Sequence, residues 1–209
     1  MQQEHELTGE RNNSASSSDK RSNNGKNEVV EWLKAIAIAL VLVIFIRWFL
    51  FKPFIVEGPS MQPNFHTGER LIVNEILYDI RDPKPGEVIV FHVPDEGRDF
   101  IKRVIAVAGD TVQVEGDTVT VNGQVVDEKY IQEAIDQSHK DNMLYNSYKN
   151  FPNSDFPNGT VPEGHVFVMG DNRSNSTDSR MIGYIPLEDI VGRADLIFWP
   201  ITDFQFIKH

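Results

Sequence analysis

Between Ala35 and Ile46 the chain runs twelve residues without a polar side chain, bounded by Lys34 and Arg47. Alone this run is too short for a lipid bilayer. Extended past both cations, residues 32–51 form a stretch that covers about 30 Å as a helix rising about 1.5 Å per residue, one hydrocarbon core. Lys34 and Arg47 fall near its ends, where long cationic side chains reach water, and Trp32 and Trp48 suit the interfacial belts. A helix of a soluble core would show a polar stripe, which this run lacks. A cleaved leader would end in small residues, not Trp48-Phe49-Leu50-Phe51-Lys52-Pro53. The expectation is one transmembrane helix over 30–51, uncleaved, with the lipid bilayer as its partner.

Lys20, Arg21, Lys26 and Lys34 precede the span, and only Arg47 and Lys52 follow it closely. That excess sets the N-terminus in the cytoplasm and the C-terminal bulk outside the cell membrane. Residues 1–29, rich in Asn, Ser, Lys and Glu, offer almost nothing to bury and read as a disordered cytoplasmic tail. The acidity lies beyond the span: the net charge is −11, and residues 53–209 hold 25 Asp and Glu against 13 Lys and Arg. A surface of that sign does not grip phosphates, so nucleic acid is excluded as a partner. The chain has no cysteine, which removes thiol nucleophiles, Cys-based metal sites and disulfides.

Residues 52–209 read as short strands with turn signals, at 70–74, 87–93, 100–107, 111–115, 118–121, 124–126, 165–169 and 190–198, with Asn122-Gly123 as a tight hairpin. No strong amphipathic helical pattern follows Phe51. The fold class expected is mainly β, a barrel or sandwich-like domain, with a polar, Asn- and Tyr-rich insertion over about 127–160.

Three segments could carry chemistry. In Glu57-Gly58-Pro59-Ser60-Met61-Gln62-Pro63, glycine and proline hold a serine out of regular structure and leave backbone amides free to donate to an oxyanion. In Asp99-Phe100-Ile101-Lys102-Arg103-Val104-Ile105, two cations interrupt a strand that is apolar on both faces, so at least one enters an apolar layer. Arginine stays charged there, whereas a desolvated lysine can lose its proton. In residues 169–180, four hydroxyls and the matched charges of Asp171, Arg173, Asp178 and Arg180 can knit a rigid polar turn. Acidic residues are dispersed and no His/carboxylate cluster has ligand spacing, so no metal and no cofactor are expected. Nothing in the sequence assigns an oligomeric state.

Together these stretches resemble the bacterial type I signal peptidases, membrane-anchored serine proteases that remove signal peptides from exported proteins. The resemblance covers the span, Ser60-Met61-Gln62-Pro63, residues 85–91, Lys102 to Asp110, Gly170-Asp171-Asn172-Arg173 and Asp178-Ser179-Arg180, in the family's order. The single span looks like that of the smaller Gram-positive enzymes. Asn64 stands where the family often has Thr, and Gly58 where some relatives carry a Ser that helps the oxyanion hole.

The resemblance implies a Ser–Lys dyad, with Ser60 as nucleophile and Lys102 as general base. It implies that Ser176 aims the amine, that Asp178 and Arg180 brace the turn, and that the substrate is a preprotein signal peptide with small residues at −1 and −3. An unperturbed lysine titrates near 10.4, so a base working at about 7–8 needs burial, here among Phe100, Val104 and Met61. An Arg103–Asp171 pair is expected to tie the base strand to the polar loop. Phe54, Val56, Met61, Phe65, Asp99, Phe100 and Ile101 are the candidate pocket walls. Two rivals are a histidine-dependent hydrolase using His66, His92 or His165, and an inactive membrane-tethered β module that binds exported chains.

Overall fold

The computed structural model describes residues 21–49, 51–147 and 149–209. Most of the expected disordered tail, residues 1–20, lies outside the described residues. The chain divides into two compact units, residues 1–46 and 47–209.

In the first, α1 (Arg21–Phe49) starts well before residue 30, so the tail expected over 1–29 is helical from Arg21. Propagating a helix costs little once an apolar segment has nucleated it, and polar residues join without needing burial. The described hydrophobic side chains of α1 are exposed on every face, from Trp32 and Leu33 through Ile38 to Val43, as no helix of a soluble core would be. Among the described residues, no helix is long and apolar enough to cross a membrane.

The second unit is built from antiparallel strands. β1 (Phe51–Ile55) and β2 (Arg70–Asn74) pair first, with α2 (Leu77–Ile80) after them. Then come β3 (Val88–Val93) and the ten-residue β4 (Arg98–Val107). A three-stranded side sheet follows: β5 (Val112–Glu115), β6 (Thr118–Val121) and β7 (Gln124–Val125). Asn122 and Gly123 join β6 to β7 with φ of 54° and 76°, the two left-handed residues that a two-residue hairpin needs. After α3 (Gln132–Lys140) come β8 (His165–Met169), α4 (Ser179–Ile182), β9 (Ile185–Pro186), β10 (Ile190–Trp199) and β11 (Gln205–Phe206).

The main sheet runs β1-β2-β10-β3-β4-β8-β9, with β11 added to β10. It is open. The expected barrel does not close, because its two ends, β1 and β9, are short and carry Pro53 and Pro186, which have no N–H to donate to a further strand. β4 lies inside the sheet, between β3 and β8, and is buried from Phe100 to Ala106. This explains why its sequence lacks polar alternation.

The insertion over 127–160 is more structured than its composition suggests. It contains α3, and Ile131 and Phe151 each keep 1% of their surface exposed. Phe151 stacks obliquely on Phe167 with ring centroids 4.5 Å apart, and Val114 exchanges backbone hydrogen bonds with Phe151 at 2.7 and 3.0 Å. Two apolar anchors, with buried Glu128 and Asn146, seat a mostly polar segment.

Candidate active site

Ser60 sits in a turn closed by hydrogen bonds from the backbone amides of Gln62 to Pro59 O (3.0 Å), Asn64 to Met61 O (3.1 Å) and Phe65 to Met61 O (3.0 Å). The Ser60 N–H is not among them. Gly58 enters the turn at φ +81°, a left-handed conformation in which any side chain would be strained. Apolar residues on either side moor the turn: Val56, Met61 and Phe65 are buried with Leu71, Val73 and Ile101 in one core cluster. On its outer side Ser60 O accepts from Asn172 N at 3.0 Å, and Pro59 O accepts from Asn172 Nδ2 at 3.2 Å.

Lys102, near the middle of β4, is 3% exposed. Its Nζ lies 2.9 Å from Ser60 Oγ and donates to Ile101 O at 2.8 Å. The ring of Phe100 flanks the amine, with its centroid 4.9 Å from Nζ. Desolvation by this burial lowers the amine from 10.5 to about 8, although the Asp178 and Asp171 carboxylates pull the other way. Near neutrality an appreciable fraction is therefore uncharged, with a lone pair in reach of the Ser60 hydroxyl.

The next residue, Arg103, forms the expected pair with Asp171: Nε to Oδ1 at 2.9 Å and Nη2 to Oδ2 at 2.8 Å, with both side chains buried. Asp178 is the node of the loop. Its Oδ1 accepts from Arg180 Nε (2.8 Å) and Arg180 N (3.3 Å), and its Oδ2 from Arg180 Nη2 (2.7 Å) and Gly170 N (2.9 Å). Burial alone would raise this carboxyl, but the Arg180 and Gly170 hydrogen bonds outweigh it and hold it below its ordinary value.

Ser176 Oγ is buried and makes no hydrogen bond to Lys102, so the expected bond is not formed; the group it supports is the Asp178 carboxylate, which it helps hold below its ordinary value. The hydroxyl also packs on Gly170. A Cβ at Gly170 would collide with the Ser176 side chain and stand 2.5 Å from Ser60 O, so only glycine allows the loop this close to the nucleophile.

A groove of about 590 Å³ opens at the dyad, walled by Phe54, Asp99, Phe100 and Ile101 as expected. Val56, Met61 and Phe65 do not line it. They are at most 2% exposed, because the segment after β1 turns these side chains into the core to anchor the Ser60 turn. Ile55, Glu57, Lys149, Thr177 and Met181 take their place. Lys149 had no motif to reveal it. From the insertion its Nζ donates to Ser174 O and Ser176 O, both at 3.1 Å, and so fixes one groove wall.

His66, His92 and His165 do not line the groove. The His92 ring bonds Asp99 at its rim (2.9 Å) and that of His165 bonds Glu163 O (2.8 Å). Among the described residues, no group of three His, Asp or Glu side chains could hold a metal ion.

Residues 29–199 match the model of the signal peptidase family, peptidase S26. Signal peptidase I of Bacillus licheniformis is 38% identical over 188 residues, 90% of this chain and 97% of that protein. Signal peptidase I P of Bacillus subtilis subsp. natto is 38% identical over 184 residues, 88% and 96% respectively. Signal peptidase IB of Staphylococcus aureus (strain MRSA252) is 37% identical over 182 residues, 87% and 95%. A crystal structure of a signal peptidase I from Enterococcus faecalis V583 is 33% identical, covering 55% of this chain and 97% of that one with a TM-score of 0.49. On the family match and the identity to these full-length relatives, the chain belongs to the signal peptidase family, peptidase S26.

Proposed function

We propose that this chain is a membrane-anchored Ser–Lys endopeptidase that removes signal peptides from exported preproteins after small residues at −1 and −3. The observation that carries the reading is the 2.9 Å approach of a buried lysine amine to Ser60 Oγ. The names of the relatives support the substrate class. An inactive binding module would have no need of a desolvated amine aimed at a hydroxyl.

Neutral Lys102 takes the Ser60 proton as Oγ adds to the carbonyl carbon of the scissile bond. The oxyanion then forms at the Ser60 N–H, which the turn leaves free for it. The Lys102 ammonium returns its proton to the leaving amine as the C–N bond breaks, giving an acyl-enzyme. Water, deprotonated by the same lysine, releases the signal peptide and restores Ser60. Asp178, Arg180, Arg103 and Asp171 hold the loop and the base strand in register. Ser176 lines the groove with Lys102 and packs on Gly170.

The substrate lies extended in the groove. Residues 98–102 of β4 pair with β3 on one side only, since β8 joins β4 from Arg103 onward. Their other edge is available to an incoming backbone, as in strand addition. Phe54, Ile55 and Phe100 line the groove, and overpacking against them is what would reject larger side chains.

The anchor is α1, whose apolar faces suit lipid, with the N-terminus cytoplasmic and the catalytic unit extracytoplasmic in the cell membrane. Confining enzyme and preprotein to one membrane face raises their effective concentration.

The test is cleavage of a preprotein by the full chain in vesicles. Ser60→Ala and Lys102→Ala should each abolish it, while His66→Ala, His92→Ala and His165→Ala leave it intact. Persistent cleavage by Lys102→Ala would overturn the dyad.

A further inference from the structure

We infer that Tyr130, which bonds to neither member of the dyad, is a positioning residue that ties together the three chain segments carrying Ser60, Lys102 and the 170–180 loop. The inference rests on the Ser–Lys reading above.

Tyr130 belongs to the insertion, which has no part in the chemistry by sequence motif. Each of its groups reaches a different segment. Its backbone carbonyl accepts from Asn64 Nδ2 at 3.0 Å, in the turn that bears Ser60, and the same amide nitrogen donates to Asp171 Oδ2 at 2.8 Å. Its ring lies under the Arg103 guanidinium, with Cζ 4.1 Å from the centroid, so it holds the neighbour of Lys102 along β4. Its hydroxyl accepts from Arg173 Nη2 at 2.9 Å and donates to Glu128 Oε1 at 2.8 Å. Arg173 Nε in turn donates to Gly170 O at 3.0 Å, at the point where the polar loop meets the nucleophile.

The charged groups around Tyr130 are Arg103, Arg173, Glu128 and Asp171, and those acting on Lys102 are Asp178, Asp171, Arg98 and Glu96. Asp171 belongs to both sets. The guanidinium that neutralises Asp171 rests on the Tyr130 ring, a cation–π contact whose strength grows as water is excluded. Removing the ring frees Arg103 to move. The Asp171 charge is then less compensated, and that favours the ammonium. A residue that served stability alone would change the amount of active enzyme but not the pH at which the base works.

The experiment measures kcat and KM of the full-length chain in detergent on a preprotein between pH 7 and 10, for the parent, Tyr130→Phe, Tyr130→Leu and a variant with pentafluorophenylalanine at 130. Tyr130→Leu is expected to lower kcat about tenfold or more with KM within about threefold, and to move the acid limb of kcat upward by about half a pH unit or more. Tyr130→Phe keeps the ring and moves the limb less. The fluorinated ring has the same shape but a withdrawn π-face, so its limb lies above that of Tyr130→Phe. An unmoved limb in Tyr130→Leu overturns the inference, as does equal damage from Tyr130→Phe. Should Tyr130→Leu fail to fold, identical limbs for the Phe and fluorinated variants overturn it. Cleavage surviving Ser60→Ala or Lys102→Ala would instead strike down the dyad itself, whatever the Tyr130 variants do.

Discussion

Replacing Lys102 by methionine separates what the amine does for catalysis from what it costs the fold. Lysine titrates near 10.5 in an unfolded chain and at about 8 in the folded protein. Between those values the unfolded state holds a proton that the native state lacks, so stability rises with pH across that window. At about 1.4 kcal/mol per pH unit the whole window is worth about 3 kcal/mol, all of it absent below pH 8. Methionine has similar bulk and no charge, so its stability lacks this slope. The lost hydrogen bond leaves Ile101 O without its lysine donor, which returns about 1 kcal/mol at every pH. The expected result is a dead enzyme that is about 2 kcal/mol more stable than the parent at pH 7 and slightly less stable above pH 10.5. Urea unfolding of both detergent-solubilised proteins from pH 7 to 11 measures the difference, and other titrating groups cancel in the subtraction. A difference that stays flat over that range would mean that the amine is not desolvated, and the account of the base would fall with it.

In a double-mutant cycle, Arg103→Ala and Asp171→Ala should each cost about 3–5 kcal/mol because each strands a buried charge, with about 2 kcal/mol or more of coupling; additive losses would show that the pair is not one unit. Gly170→Ala should cut the cleavage rate at least a hundredfold, since the new methyl group displaces Ser60 O and Ser176 together, and the assay is turnover by the folded variant. Phe65→Ala should lower stability by about 3–5 kcal/mol and leave the preference for small side chains at −1 unchanged, as befits a core residue. Ser176→Ala should lower stability by about 1 kcal/mol in urea unfolding and slow cleavage, because Asp178 loses the hydroxyl that helps hold its charge.

Most strands were legible because their side chains alternate or run apolar over four to ten residues: β2, β6 and β8 have the bounds their patterns suggest. The dyad was legible through family resemblance more than through chemistry, since a Gly-Pro-Ser turn and a charged pair in a strand are each common. The Arg103–Asp171 pair is expected from the sequence as a tie between the base strand and the polar loop, and the two side chains meet in a buried bidentate bridge. What stayed hidden depends on tertiary direction. Val56 and Phe65 look like pocket walls beside Ser60, yet the turn they anchor must be held from within. β9 and β11 are two-residue strands with no pattern to read. The insertion's contribution was invisible because Glu128, Tyr130, Asn146 and Lys149 act through polar contacts to distant segments, which leave no periodicity.

The four hydrogen bonds that converge on Asp178 make a stricter demand than size or polarity. Each of its oxygens receives two donors, so the position requires a group that is lone pairs on both sides. Asparagine would fit the same space but bring an NH2 to one side or the other. Whichever way that amide were flipped, hydrogens would face hydrogens, against either the Gly170 amide or the backbone N–H and Nε of Arg180. Of the side chains of this length, only the ionised one is symmetric enough to belong there.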